Sequence, residues 1–207
     1  MQDISKTLVA QLRFITETDK LKGVERRTKP IGLARRENSA EHSWQAAICA
    51  MILAEHADAE VNLLRVLKML LIHDVVEVDT GDVFHYEKKE HQDLAAREAA
   101  AAKRIFELLP DTQAQELLSL WQEFETRHTP DARFAAAVDR LMAYILNRAN
   151  NGGTWTEYQL TEREVRTRNR EMREGSSTLW GWCESVIDEA VQLGHLAGHG
   201  ISKSDGE

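Results

Sequence analysis

Apolar positions along this chain repeat every three to four residues, the spacing of helices with one buried face, and no stretch sustains the alternation of a half-buried strand. The pattern predicts an all-α protein. Leu67, Leu70, Leu71, Val75 and Val78 define a helix that begins near Val61 and ends in the turn Asp79–Asp82, where Gly81 suits a left-handed cap. Upstream, the segment around His42 starts on Asn38 or Ser39 as N-cap and takes its apolar character from Ala46, Ile48, Ala50, Ile52 and Leu53, with Trp44 assigned to the core. Downstream, an alanine-rich helix over Asp93–Leu109 is stopped by Pro110, and helices follow over Thr112–His128 and Pro130–Arg148, with Trp121 and Phe124 facing inward. Asn150, Asn151, Gly152 and Gly153 break the pattern. Beyond the break, Thr161 and Glu164 form a capping box, and a helix over Thr178–Leu193 carries Leu179, Trp182, Val186, Ile187 and Ala190 on one packing face. The expected organisation is a single domain, with a core of about six helices over residues 1–149, a helical extension over 150–194 and a disordered tail over 195–207.

Composition narrows the function classes. At 207 residues and 43% hydrophobic the chain is long enough for one packed core and short for two. A net charge of -8 argues against a broad duplex-binding face, because phosphate backbones need clustered cations. A small anionic substrate stays compatible, served by the local cluster Arg26, Arg27, Lys29, Arg35 and Arg36. The arginines at 163, 166, 168, 170 and 173 are spread around their helix and read as solvated, since such a spread cannot converge on one anion. The chain shows no apolar run of membrane-spanning length and no signal-peptide pattern, so no membrane partner and a cytoplasmic location are expected. Cys49 and Cys183 lack any CxxC spacing and are expected as reduced thiols.

Chemistry concentrates in LLIHDVVEVDTGD, Leu70–Asp82, where His73 and Asp74 interrupt an apolar helix face. Ionised carboxylates are rarely buried unless they are paired or hold a metal. Neighbouring helical residues point about 100° apart, so this pair makes half a binding site and other helices must supply the rest. His42, in ENSAEHSWQAA, and Asp139, in a largely apolar stretch of ARFAAAVDRLMAYIL, are the candidates. Two imidazoles and two carboxylates suit one six-coordinate divalent ion such as manganese, cobalt, iron or magnesium. Glu77 stands one turn beyond His73 and should face the metal side, the alternative being an exposed, salt-bridged helix-end glutamate.

The order H…HD…D on successive helices resembles the HD-domain superfamily of metal-dependent phosphohydrolases. RENSAEHSWQ around His42, HDVVEVDTGD around His73 and VDRL around Asp139 are similar, from about Leu8 to Arg148, to the YfbR-like 5'-deoxynucleotidase family. The resemblance implies an all-α HD-domain bundle that hydrolyses a nucleoside monophosphate to nucleoside and phosphate and assembles as a homodimer, an expectation that a surplus of apolar residues on the helix over Thr178–Leu193 also motivates. It implies His42, His73, Asp74 and Asp139 as metal ligands, Glu77 as the group that orients or deprotonates water, and Asp82 as a support for the water or the substrate. An arginine upstream of the first histidine would contact the substrate phosphate: spacing from His42 selects Arg27, which is preferred, and the upstream Leu-Lys pattern selects Arg26. The family pattern has a tryptophan just after that arginine where this chain has Thr28, so a strict 2'-deoxy preference does not carry over. His85, Tyr86, Lys88 and Lys89 fall in a polar stretch that reads as a flap or a surface loop. Two readings from other classes stay open, a di-iron oxygenase drawing on His85 and His91, and an inactive HD module that only binds.

Overall fold

The computed structural model describes residues 5–86 and 93–198. Its helices are α1 Lys6–Thr18, α2 Ser39–Leu53, α3 Leu63–Ile72, α4 Glu77–Thr80, α5 Leu94–Phe106, α6 Asp111–Thr126, α7 Pro130–Ala149, α8 Gly153–Glu157, α9 Glu162–Asn169 and α10 Ser177–Gln192. Among the described residues the only strand-like pairing is two isolated bridges, Glu25 with Asn38 and Thr161 with Ala197. No described helix is long and apolar enough to cross a membrane. Cys49 and Cys183 are free thiols.

The helix α7 is the axis of the core. Ala132, Phe134, Ala135, Ala136, Ala137, Val138, Leu141, Met142, Tyr144 and Leu146 are buried almost all the way round it, as expected for a helix enclosed by others. Thr129 caps it, its hydroxyl accepting from the Ala132 N–H, and Pro130 supplies the first-turn position. Trp121 and Phe124 of α6 pack inward as expected. The extension is packed onto α7 rather than appended: a Cβ on Gly175 would lie 2.2 Å from the Arg133 carbonyl oxygen, so only glycine permits that approach. The expected capping box at Thr161 and Glu164 opens α9.

Two expectations are corrected on α2. Its buried residues are Ser39, His42, Ser43, Ala46, Ala47 and Ala50, a stripe of small residues, while Trp44, Ile48, Met51 and Ile52 face outward. Trp44 is 63% exposed and is not part of the core. Hydrophobicity alone puts the large side chains inside. The packing instead brings α3 and α7 close to a narrow stripe, and with His42 turned inward Trp44, two residues on, faces away. Asn38, not Ser39, is the N-cap, in a full capping box with Glu41. On α10, Leu179, Val186, Ile187 and Ala190 are buried with Cys183, leaving only Trp182 of the expected face at the rim, so that helix carries no apolar surplus.

Lys88, Lys89 and His91 lie outside the described residues, as does most of the tail, 199–207.

Candidate active site

The helix expected to run unbroken from near Val61 to the turn Asp79–Asp82 is interrupted after Ile72. α3 ends there, His73–Val76 form a 3₁₀ turn, and α4 closes on Gly81, whose φ of 73° is left-handed in sign but whose ψ of 162° is extended. In 3₁₀ geometry side chains three apart stack. Asp74 and Glu77 are therefore brought to one side, and Glu77 reaches the site by following Asp74 rather than by sharing an α-helical face with His73.

Three ligand-type atoms converge. His42 Nε2 lies 2.8 Å from Asp139 Oδ1, and His73 Nε2 lies 3.5 Å from the same oxygen. One atom from each of these residues lies within 4.8 Å of the others, close enough to share an ion. Asp74 Oδ1 stands 3.1 Å from His73 Nε2, while its Oδ2 accepts from Arg26 Nη1 at 2.8 Å. His73 Nδ1 is 2.9 Å from the Leu70 carbonyl, an acceptor only, so Nδ1 carries the proton and Nε2 presents its lone pair to the carboxylates when the ring is neutral. That Nε2 is buried and has no hydrogen-bond partner among the described residues. An orphaned imidazole nitrogen beside two carboxylates is what a divalent ion completes, so the residues fit the metal that the sequence leads one to expect. Burial opposes charging of His73, yet Asp74 and Asp139 raise it to about 9. Asp139 is held well below the usual carboxylate range: its burial works the other way, but the hydrogen bond from His42 and the nearby charge of His73 outweigh it.

Arg26, rather than Arg27, enters this cluster. The Arg26 N–H donates to the Glu37 carbonyl, the Glu37 N–H to Thr28, and the Ser39 N–H to Val24, which makes residues 24–28 locally extended. Extended residues alternate sides. Arg26 and Thr28 point in, while Arg27 is exposed and reaches only the cavity edge. Besides Asp74, Arg26 Nη1 lies 3.5 Å from Asp82 and 3.9 Å from Glu77. Burial opposes its charge, but Asp74, Asp82 and Glu77 raise its pKa further, so it stays protonated. The preference for Arg27 from spacing is thus reversed by geometry.

Glu77 is buried, and its second oxygen accepts from Ser39 Oγ at 2.5 Å. Burial above all, then the negative Asp74, raises its pKa well above the ordinary value against the pull of Arg26. Asp82 is raised for the same first reason. The exposed, surface reading of Glu77 is excluded by this burial. Asp79, given no role, pairs with Arg104 at 2.5 Å on the outside.

Sequence reasoning passed over two participants. Glu37, 2% exposed, accepts from Thr28 Oγ1 at 2.7 Å and stands 3.8 Å from Arg26 Nε and 4.0 Å from His42 Nδ1. Ser39 was considered only as a cap. Nothing in periodicity marks a glutamate just before an N-cap as buried; the adjacent arginines and the capping motif suggest a solvated loop.

The site opens into a cavity of about 480 Å³, within the usual range for small-molecule sites. The side chains of Phe84, His85, Tyr86, Trp155 and Arg168 help to line it, so the stretch after the turn and the C-terminal extension both reach the site. With Arg26 as the inward arginine, the place of the family's tryptophan falls to the exposed Arg27 rather than to Thr28.

An HD domain family model matches residues 18–180 of the chain. The 5'-deoxynucleotidase HDDC2 of Homo sapiens is 31% identical over 106 residues, 51% of this chain and 50% of that protein. Its Mus musculus counterpart is 30% identical over 130 residues, 62% of this chain and 64% of that protein. The chain thus spans about half to two thirds of the length of these curated relatives. Among solved structures, a predicted metal-dependent phosphohydrolase from Magnetospirillum magnetotacticum MS-1 is 46% identical, with a TM-score of 0.88 over 92% of this chain and 96% of that one. The PH0347 protein from Pyrococcus horikoshii OT3, 18% identical with a TM-score of 0.59 over 88% of this chain and 99% of that one, shares the fold. With the family match running from Thr18 to Trp180 and enclosing His42, His73, Asp74 and Asp139, the chain belongs to the HD-domain family.

Proposed function

We propose that the protein is a metal-dependent phosphoric monoester hydrolase of the 5'-nucleotidase type, releasing phosphate from nucleoside monophosphates. The observation that carries this reading is Arg26, a buried, permanently charged guanidinium set among Asp74, Glu77 and Asp82 beside the converging His42, His73 and Asp139. His42, His73 and Asp139, with Asp74 as fourth ligand, would hold one divalent ion. Such an ion supplies Lewis-acid polarisation of a phosphoryl oxygen and lowers the pKa of water. Arg26 would share its fork between Asp74 and the phosphate oxygens, neutralising charge as it develops. Glu77, with its raised pKa and Ser39 fixing one oxygen, is suited to take the proton of the attacking water as the P–O ester bond breaks. Asp82 and Glu37 keep Arg26 in place from two sides. The names of the curated relatives support a 5'-deoxynucleotide as substrate, and the exposed Arg27 in place of a tryptophan after Arg26 leaves the ribose form open.

The test is a screen of nucleoside mono-, di- and triphosphates, ribo and deoxy, with manganese, cobalt, iron and magnesium, scoring phosphate against pyrophosphate release. Metal-dependent phosphate release from monophosphates is expected; none, or pyrophosphate release, overturns the reading. Two irons per chain by metal analysis would favour an oxygenase instead. We also propose a homodimer, supported by the outward Trp44, Ile48, Met51 and Ile52 stripe of α2 rather than by α10. Sedimentation at micromolar concentration should give twice the chain mass.

A further inference from the structure

The cavity continues past the converging ligand atoms along a wall that the mechanism above leaves unused. His85, Arg140, Tyr144 and Arg168 line it. Arg140 and Tyr144 are four apart on α7 and share a face. Tyr144 is 1% exposed, and its hydroxyl has no hydrogen-bond partner among the described residues; the same is true of the buried Nε2 of His85 and the buried Nε of Arg127, which also lines the cavity. Arg168 Nη1 donates to the His85 carbonyl at 2.5 Å, and its guanidinium sits 5.7 Å from the centre of the Tyr86 ring. Arg140 approaches Asp139 with Nε at 3.8 Å from Oδ2, and among the described residues no hydrogen bond takes up its N–H donors. Arg127, Arg140 and Arg168 also line an adjoining pocket of about 350 Å³.

Buried polar atoms without a partner are rare in folded proteins and costly to keep. Three of them on one cavity, beside guanidiniums brought together from α7 and α9, call for a group rich in acceptor oxygens. A phosphate meets that demand: it accepts from planar guanidinium forks and from a phenolic hydroxyl at once. Arg168 is also the exception on its helix. Arg166 is paired with Glu184 and Asp188, whereas Arg168 lines the cavity together with Arg140 of α7.

We infer that this wall binds a second phosphate carried by the nucleotide substrate, separate from the ester that is hydrolysed. The inference rests on the nucleotidase reading above. It is tested on the metal-loaded full chain with adenosine 5'-monophosphate and adenosine 3',5'-bisphosphate, which share the scissile ester and differ by one phosphate. The bisphosphate should show a kcat/KM higher by roughly 10- to 100-fold, the worth of a charged hydrogen bond or two. Arg168→Gln, with folding checked by thermal melting, should remove most of that ratio. Tyr144→Phe, which deletes only the hydroxyl, should reduce it by a smaller factor. Calorimetric binding of adenosine 3'-monophosphate, which has no 5'-ester, reads the subsite without turnover and should weaken in Arg168→Gln. Equal kcat/KM for the two substrates, or an Arg168→Gln effect equal on both, overturns the inference. So does inorganic phosphate binding as tightly as the 3'-monophosphate with the same Arg168 dependence, since the subsite would then hold a free anion. Absence of any monophosphate hydrolysis overturns the nucleotidase reading, and Arg168-dependent binding of the 3'-monophosphate would still uphold the subsite.

Discussion

On the wall built from α2, the His73–Val76 turn and Asp139 of α7, charges are cross-linked: Arg26 spans Asp74, Asp82 and Glu77, and Asp139 meets both histidines. On the wall built from Val83–Tyr86, the later turns of α7 and α9, polar atoms of His85 and Tyr144 are buried without partners among the described residues. The first wall is organised before any substrate arrives, which is what stabilising a transition state requires, because no dipoles need to turn during reaction. The second is left open for a ligand to complete, which suits recognition. Both sit on α7, where Asp139 and Arg140 are adjacent in the chain.

The most damaging change to the first wall is loss of a converging ligand. His73→Ala or Asp139→Ala should abolish metal in elemental analysis and reduce turnover to background, beyond the ~10²–10⁴-fold worth of a single acid–base group. Glu77→Ala should keep the metal and lower kcat by on the order of 10²- to 10⁴-fold with little change in KM, because the group acts on the proton and not on binding. A variant that loses the metal would make Glu77 a ligand; one with full activity would remove it from the chemistry. Arg26→Ala should lower kcat/KM by about 10²- to 10³-fold, the cost of one donor aimed at developing charge. Its neighbour gives the control: Arg27→Ala should stay within about threefold, as expected of an exposed charge, and the reverse ranking would reinstate the spacing argument. The smallest effect is on stability. Stripping the metal should cost about 2.7 kcal/mol relative to protein at an ion concentration of 100 Kd, a fall of roughly 5–10 °C in Tm by calorimetry. An unchanged Tm would argue against an ion linking α2, α7 and the 3₁₀ turn.

Helical spacing, the Pro110 and Pro130 boundaries and the Thr161–Glu164 box were legible because each is a local preference of the backbone, and the structure places the corresponding helices within a few residues of expectation. The meeting of His42, His73 and Asp139, with Asp74 beside His73, was legible as well, because burying charge in apolar helices is costly enough to leave a mark on the sequence. What the sequence could not decide was direction. Arg26 and Arg27 are chemically identical, and only the bridge between Glu25 and Asn38, a pairing across a loop, determines which one alternates inward. Trp44 and Ile52 look like core to any hydrophobicity scale, yet with His42 turned to Asp139 they face outward, since rotation about a helix axis is fixed by its neighbours and not by its own composition. Glu37 and Arg168 reached the site through contacts with Thr28 and with His85, 9 and 83 residues away. Local sequence set the elements and the chemistry they could carry, and long-range packing chose which side chains share a cavity, because that choice is made by contacts between segments that no local pattern encodes.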